Sequence, residues 1–183
     1  MNRPLPPTVL ADLFGYLEDL KERASVEDLR SHLLRLDISI DDVSDFVHFG
    51  TSAYRRNLIC EGDHYELLCI CWRSGQRSPI HNHAHSTCGL RVLQGVATET
   101  TFETTPCGQV KANGSHDLSV GLVSASQDEQ THQISNLQVV AQDLVTLHIY
   151  SPPLRKMDTF SILGDPLGVF CPEVFEVSFG AGI

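Results

Sequence analysis

The sequence predicts an all-β protein, an antiparallel barrel behind a small N-terminal helical segment, in one domain over residues 1–183. Three observations predict it. Over residues 1–50 the apolar side chains recur at helical spacing. Residues 51–183 break instead into short runs rich in β-branched and aromatic residues, separated by Gly, Pro, Asn and Ser. No helical stretch alternates with those runs, which disfavours a parallel sheet of strand–helix–strand units. A chain of 183 residues buries a core without needing disulfides or a structural metal.

In "PTVLADLFGYLEDLKERA" a proline opens the helix, and Val9, Leu10, Leu13, Leu17 and Leu20 fall near one face. "SVEDLRSHLLRL" starts with Ser25-x-x-Asp28, close to a capping box, and a short "DDVSDFVHF" follows. This part carries no catalytic pattern and reads as a cap over the core. The candidate strands are "YRRNLICEG", "YELLCICW", "SPIHNHAH", "CGLRVLQG", "VATETTF", "LVSAS", "DEQTHQISN", "LVTLHIYS", "TFSIL" and "VFEVSF".

Composition narrows the partners. A formal net charge of −10 argues against nucleic acid or an anionic membrane surface. An acidic protein that takes an anionic substrate needs a dedicated local cation. The N-terminus meets prolines and acids before any long apolar run, unlike a signal peptide, and no run approaches the roughly 18 to 20 apolar residues of a membrane span. Six cysteines (60, 69, 71, 88, 107 and 171) are too sparse for a disulfide framework in a chain of this kind. Cys69 and Cys71 read as small apolar residues on one face of a buried strand. A reduced, cytoplasmic protein is expected, and a monomer, since no interface stripe stands out.

"IHNHAHSTCG" places histidines at 81, 83 and 85. Along a strand, residues i and i+2 lie about 6.6 Å apart on one face, and i and i+4 about 13 Å. Two imidazoles can converge on one ion at the first separation but not at the second. His81 with His83, or His83 with His85, can chelate; the third ligand must come from another strand. The pair alone is a weak signal, because a chain with nine histidines clusters some by chance.

The framing adds to it. From Gly75 to Gly95 the chain runs G-x5-H-x-H-x4-C-x6-G, which resembles the first cupin motif with Cys88 in place of the acidic ligand. "HQISN" resembles the end of the second motif, with His132 and Asn136. The resemblance implies a cupin jelly-roll barrel with His81, His83 and His132 pointing inward, and His85 as a solvated turn residue. Three neutral imidazoles suit zinc or non-haem Fe(II), and ligand type alone does not separate them.

Alternation supplies further candidates. In "SAYRRNLI", Tyr54 and Arg56 share a strand face while Arg55 points away. In "LVTLHIYSPP", Thr146, His148 and Tyr150 share a face, and such a row inside a barrel needs mutual hydrogen bonds. With these motifs in place, the sequence resembles the cysteine dioxygenase family over roughly residues 45–165: "YRRNLI", "ICWRSGQRSPIHNHAHSTCGLRVLQG", His132 and "LHIYSPP" stand in that family's order.

The resemblance implies that His81, His83 and His132 bind Fe(II), and that Arg56, helped by Tyr54, holds the substrate carboxylate. It implies that His148 with Thr146 orients Tyr150, and that Cys88 can join Tyr150 in a thioether bond. Cys88 followed by Gly89 is the order associated with crosslinked members. His81-Asn82-His83 departs from the more usual His-Asp-His, at a residue that faces away. The implied reaction, a step of cysteine catabolism, turns L-cysteine and O2 into cysteine sulfinate. The alternatives are a dioxygenase of another small thiol such as 3-mercaptopropionate, whose enzymes typically carry glutamine where Arg56 stands, a zinc cupin hydrolase or isomerase, and a metal-binding sensor or storage cupin.

Overall fold

The computed structural model describes residues 7–106, 109–127, 130–162 and 168–177. Cys107, and the ends of the candidate strands "DEQTHQISN", "TFSIL" and "VFEVSF", lie outside the described residues. A 3-10 turn over Thr8–Leu10 leads into α1 (Ala11–Glu18), followed by α2 (Val26–Arg35) and a 3-10 segment over Asp41–Phe46. The first helix stops well short of the expected Ala24, which is tied to the barrel instead: its N–H donates to Ser151 Oγ at 2.9 Å and its carbonyl accepts from Thr87 Oγ1 at 2.7 Å. Ser25 caps α2, with its Oγ accepting from Asp28 N–H at 3.1 Å.

Among the described residues twelve strands follow: β1 (Arg55–Gly62), β2 (Tyr65–Trp72), β3 (Ile80–His81), β4 (Thr87–Gln94), β5 (Val96–Thr104) and β6 (Val110–Ser119), then β7 (Val123–Gln127), β8 (Thr131–Ser135), β9 (Leu144–Ser151), β10 (Met157–Phe160), β11 (Gly168–Phe170) and β12 (Val174–Glu176). They form two six-stranded sheets, in the orders β12-β1-β2-β9-β4-β7 and β11-β10-β3-β8-β5-β6. All pairings are antiparallel except β1 with β12, which is parallel.

The layering explains why β2 and β9 are buried along their whole length. On the outer face Leu67, Cys69 and Cys71, with Val145, Leu147 and Ile149, pack against Leu13, Leu17, Leu29 and Leu33 of the helices. On the inner face Leu68, Ile70 and Trp72 join Leu90, Val92, Ile134 and Met157 inside the barrel. An antiparallel sheet covered on both faces loses the usual apolar–polar alternation. Polar residues left on the inner faces are therefore buried, and they mark the site.

Two strands were not expected from the sequence, β6 and β11. β6 lies at a sheet edge beside β5 and is mostly exposed, so "VKANGSHDLS" lacks the apolar alternation that announces a strand. β11 is likewise an exposed edge strand.

Candidate metal centre

His81 ends β3 and lies directly opposite His132 on β8. The expected strand "SPIHNHAH" is confined to Ile80–His81, so His83 is not an i+2 neighbour on an extended strand. It sits at the start of a turn in which Ala84 (φ 42°) and His85 (φ 79°) take up left-handed backbone. That turn buries His83 and leaves His85 exposed, with the His85 carbonyl accepting from Arg23.

The three buried rings converge. Ring centroids are 5.4 Å apart for His81 and His83, and 4.7 Å apart for His132 with either neighbour. One nitrogen from each histidine lies within 4.8 Å of the other two. The other nitrogens are occupied: His81 Nδ1 with the Pro79 carbonyl at 2.9 Å, His83 Nδ1 with Ser126 Oγ at 3.4 Å, and His132 Nδ1 with Glu99 at 2.6 Å. A carbonyl and a carboxylate can only accept, so His81 and His132 carry their protons on Nδ1 and turn bare Nε2 lone pairs inward. His83 Nε2 and His132 Nε2 stand 3.0 Å apart. Three imidazoles meeting at this distance in a buried pocket make a donor set that fits a divalent ion.

The electrostatics agree. Burial, reinforced by the neighbouring His132, pushes His81 down to about 3, and burial pushes His83 far below the usual imidazole range, so both are neutral ligands at physiological pH. Burial alone would raise Glu99, but His132, Ser124 and His116 hold it below the ordinary carboxylate range.

Tyr54, Arg56, Trp72, Cys88, His148 and Tyr150 line the same inner cavity as His81 and His132. Trp72 Nε1 donates to Thr146 Oγ1 at 3.0 Å, His148 Nε2 meets that oxygen at 2.9 Å, and Tyr150 hydroxyl meets His148 Nδ1 at 3.3 Å. Thr146 donates its one proton to the Ile70 carbonyl. The hydroxyl must then accept from both Trp72 and His148, which puts the imidazole proton on Nε2 and leaves Nδ1 to accept from Tyr150. Cys88 is directly opposite Tyr150 on neighbouring strands. The next residue, Gly89, faces α2, where a Cβ would come within 2.7 Å of Leu33 Cδ1. The Cys-Gly order thus puts the thiol inward and the bare backbone under the helix.

Arg56 is 3% exposed, pairs with fully buried Glu66 at 2.9 Å, and lies 5.0 Å from the centre of the Tyr150 ring. Arg55 points away and stacks on Phe175 at 4.2 Å. Tyr54 stacks on Trp72 at 4.3 Å, and together with Arg56 it also lines an outer cavity of about 410 Å³. Asn136 is structural, donating to the Trp72 and Gln142 carbonyls. Sequence reasoning missed Glu66, Glu99, Trp72 and Met157 at this site.

A double-stranded barrel closing on three convergent imidazoles defines a cupin with a three-histidine metal-binding site. Among solved structures, the fold is shared with a double-stranded β-helix protein from Klebsiella pneumoniae (TM-score 0.54, 16% identity, 77% of this chain and 98% of that one) and with TT1209 from Thermus thermophilus (TM-score 0.51, 14% identity, 63% and 98%). The chain belongs to the cysteine dioxygenase type I family, whose model matches residues 2–162. It is similar to cysteine dioxygenase type 1 of Danio rerio (29% identity over 163 residues, 85% of this chain and 81% of that one) and of Homo sapiens (28% over 165 residues, 85% and 80%).

Proposed function

We propose that the protein is an iron-dependent cysteine dioxygenase that converts L-cysteine and O2 to cysteine sulfinate. One observation carries this reading: buried Arg56, a fixed cation for a carboxylate, lines the cavity at which His81 and His132 present bare nitrogens. His81, His83 and His132 would hold Fe(II), which supplies the redox chemistry that joins a thiol to O2. A ligand set without charge of its own favours an anionic sulfur beside it. Arg56 grips the carboxylate through N–H groups that Glu66 does not use. Tyr150, its proton directed to His148, faces the substrate, and the stacked pair Tyr54–Trp72 walls off solvent. The balance closes without another reductant, since O2 takes all the electrons that the sulfur gives up on reaching the sulfinic level.

We place the protein in the cytoplasm as a monomer. No described helix is long and apolar enough to cross a membrane. Oxygen uptake with L-cysteine, 3-mercaptopropionate and cysteamine tests the reaction on protein of known metal content. Uptake should be fastest with L-cysteine and proportional to iron. A rate independent of iron, or greatest with cysteamine, contradicts it.

The same reading has Cys88 and Tyr150 form a thioether bond during turnover: the thiol S–H and one ring C–H beside the phenol hydroxyl break, the C–S bond forms, and O2 takes the two hydrogens as hydrogen peroxide. Directly opposed residues on antiparallel strands have Cβ atoms about 4.5–5.5 Å apart, within reach of such a bond. It would pin the phenol near the substrate and so aid catalysis without being essential. Intact mass under reducing conditions should fall by two hydrogens after many turnovers, because thioethers resist thiol exchange. Cys88→Ser should retain reduced activity. Recovery of only free Cys88 and unmodified Tyr150 on peptide mapping would show the cysteine to be packing.

A further inference from the structure

Glu66 is fully buried and belongs to none of the roles assigned above. Its Oε1 accepts from Arg56 Nη2 at 2.9 Å and from Leu154 N–H at 3.0 Å. Leu154 lies on the segment that leaves β9 just after Tyr150, and Glu66 itself stands directly opposite Tyr150 on β2. One carboxylate therefore ties the guanidinium to the loop that follows β9, while its own backbone pairs with the strand carrying the tyrosine. With the Tyr150 ring 5.0 Å from its Cζ, Arg56 is held from two directions.

The ion pair is also incomplete. A guanidinium and a carboxylate can make two parallel hydrogen bonds, yet Arg56 Nε and Glu66 Oε2 have no partner among the described residues. Glu66 thus anchors Arg56 without saturating it, and its negative charge opposes that of an incoming carboxylate.

We propose that Glu66 is a positioning residue that sets both the reach and the strength of Arg56 toward the carboxylate end of the thiol substrate. This rests on the reading of Arg56 as the carboxylate-binding group. The two properties separate by substitution. Glu66→Gln keeps an oxygen that can accept from Arg56 and Leu154 but removes the opposing charge, so carboxylate binding tightens. Glu66→Ala loses the anchor as well, so carboxylate binding weakens. Neither change alters the grip on a thiol that has no carboxylate.

The test uses iron-loaded wild-type, Glu66→Gln and Glu66→Ala proteins without O2. Each is melted with and without L-cysteine, 3-mercaptopropionate or cysteamine, and Kd is obtained by calorimetry. In Glu66→Gln, Kd for both carboxylate thiols should fall about three- to tenfold and their melting shift should grow, as expected when a ligand binds the folded form more tightly. In Glu66→Ala, Kd for the same thiols should rise about tenfold, the worth of a charged hydrogen bond. Cysteamine should bind all three proteins alike. If both variants change all three thiols equally, or Glu66→Gln matches wild type, the proposal is overturned. If Glu66→Ala fails to fold, the Glu66→Gln arm decides. Turnover is measured separately: a wild type that oxidises none of the thiols contradicts the proposed reaction, while the binding data still decide the role of Glu66.

Discussion

His132→Ala is expected to lose most of its iron and about a hundredfold or more of its activity. A bound metal supplies several kcal/mol of stabilisation to the reacting groups, and each 1.4 kcal/mol or so is tenfold in rate. The remaining His81 and His83 cannot enclose an ion, because His132 supplies the nitrogen that faces both of them. The variant also removes the 2.6 Å partner of Glu99, leaving that carboxylate to His116 and Ser124. Metal content and turnover are measured on the same preparation. Full iron retention in His132→Ala would remove the three-histidine assignment.

The second large effect concerns Arg56. A charged hydrogen bond is worth roughly 1.5–3 kcal/mol, so Arg56→Ala should lower kcat/KM for L-cysteine about 10- to 150-fold. Cysteamine, with no carboxylate, should be affected far less, and Arg55→Ala should leave the ratio between the two thiols unchanged. Removing Arg56 leaves Glu66 as a buried carboxylate without its cation, which costs on the order of 3–5 kcal/mol of stability when such a pair is broken. The double variant Arg56→Ala with Glu66→Gln removes that charge, and the same substrate ratio is expected in it. Equal losses for both thiols would refute the assignment.

Much of the site was legible from alternation alone. Parity put Arg56 inward and Arg55 outward, and aligned Thr146, His148 and Tyr150 on one face of β9. The same argument, applied to "YELLCICW", would have found Glu66, a charged residue in step with Leu68, Ile70 and Trp72 on an inner face. In "VATETTF" it would have found Glu99 in step with Ala97. A charge at an inward position signals a buried partner, but nothing local says which one: Arg56 is ten residues from Glu66, and His132 is 33 from Glu99. Convergence of His81 and His83 was expected for the wrong local reason, since a turn rather than an extended strand brings the rings together. β6 escaped notice because an exposed edge strand needs no apolar face, and its backbone pairing with β5 leaves no mark on composition.

The most direct test of the central claim follows the oxygen atoms. Iron-loaded protein is given L-cysteine under 18O2, and the product is analysed by mass spectrometry against the oxygen consumed. The account predicts cysteine sulfinate carrying both labelled atoms, one molecule formed for each O2 taken up. Product with oxygen from water, or oxygen uptake that yields only the disulfide of cysteine, would contradict it.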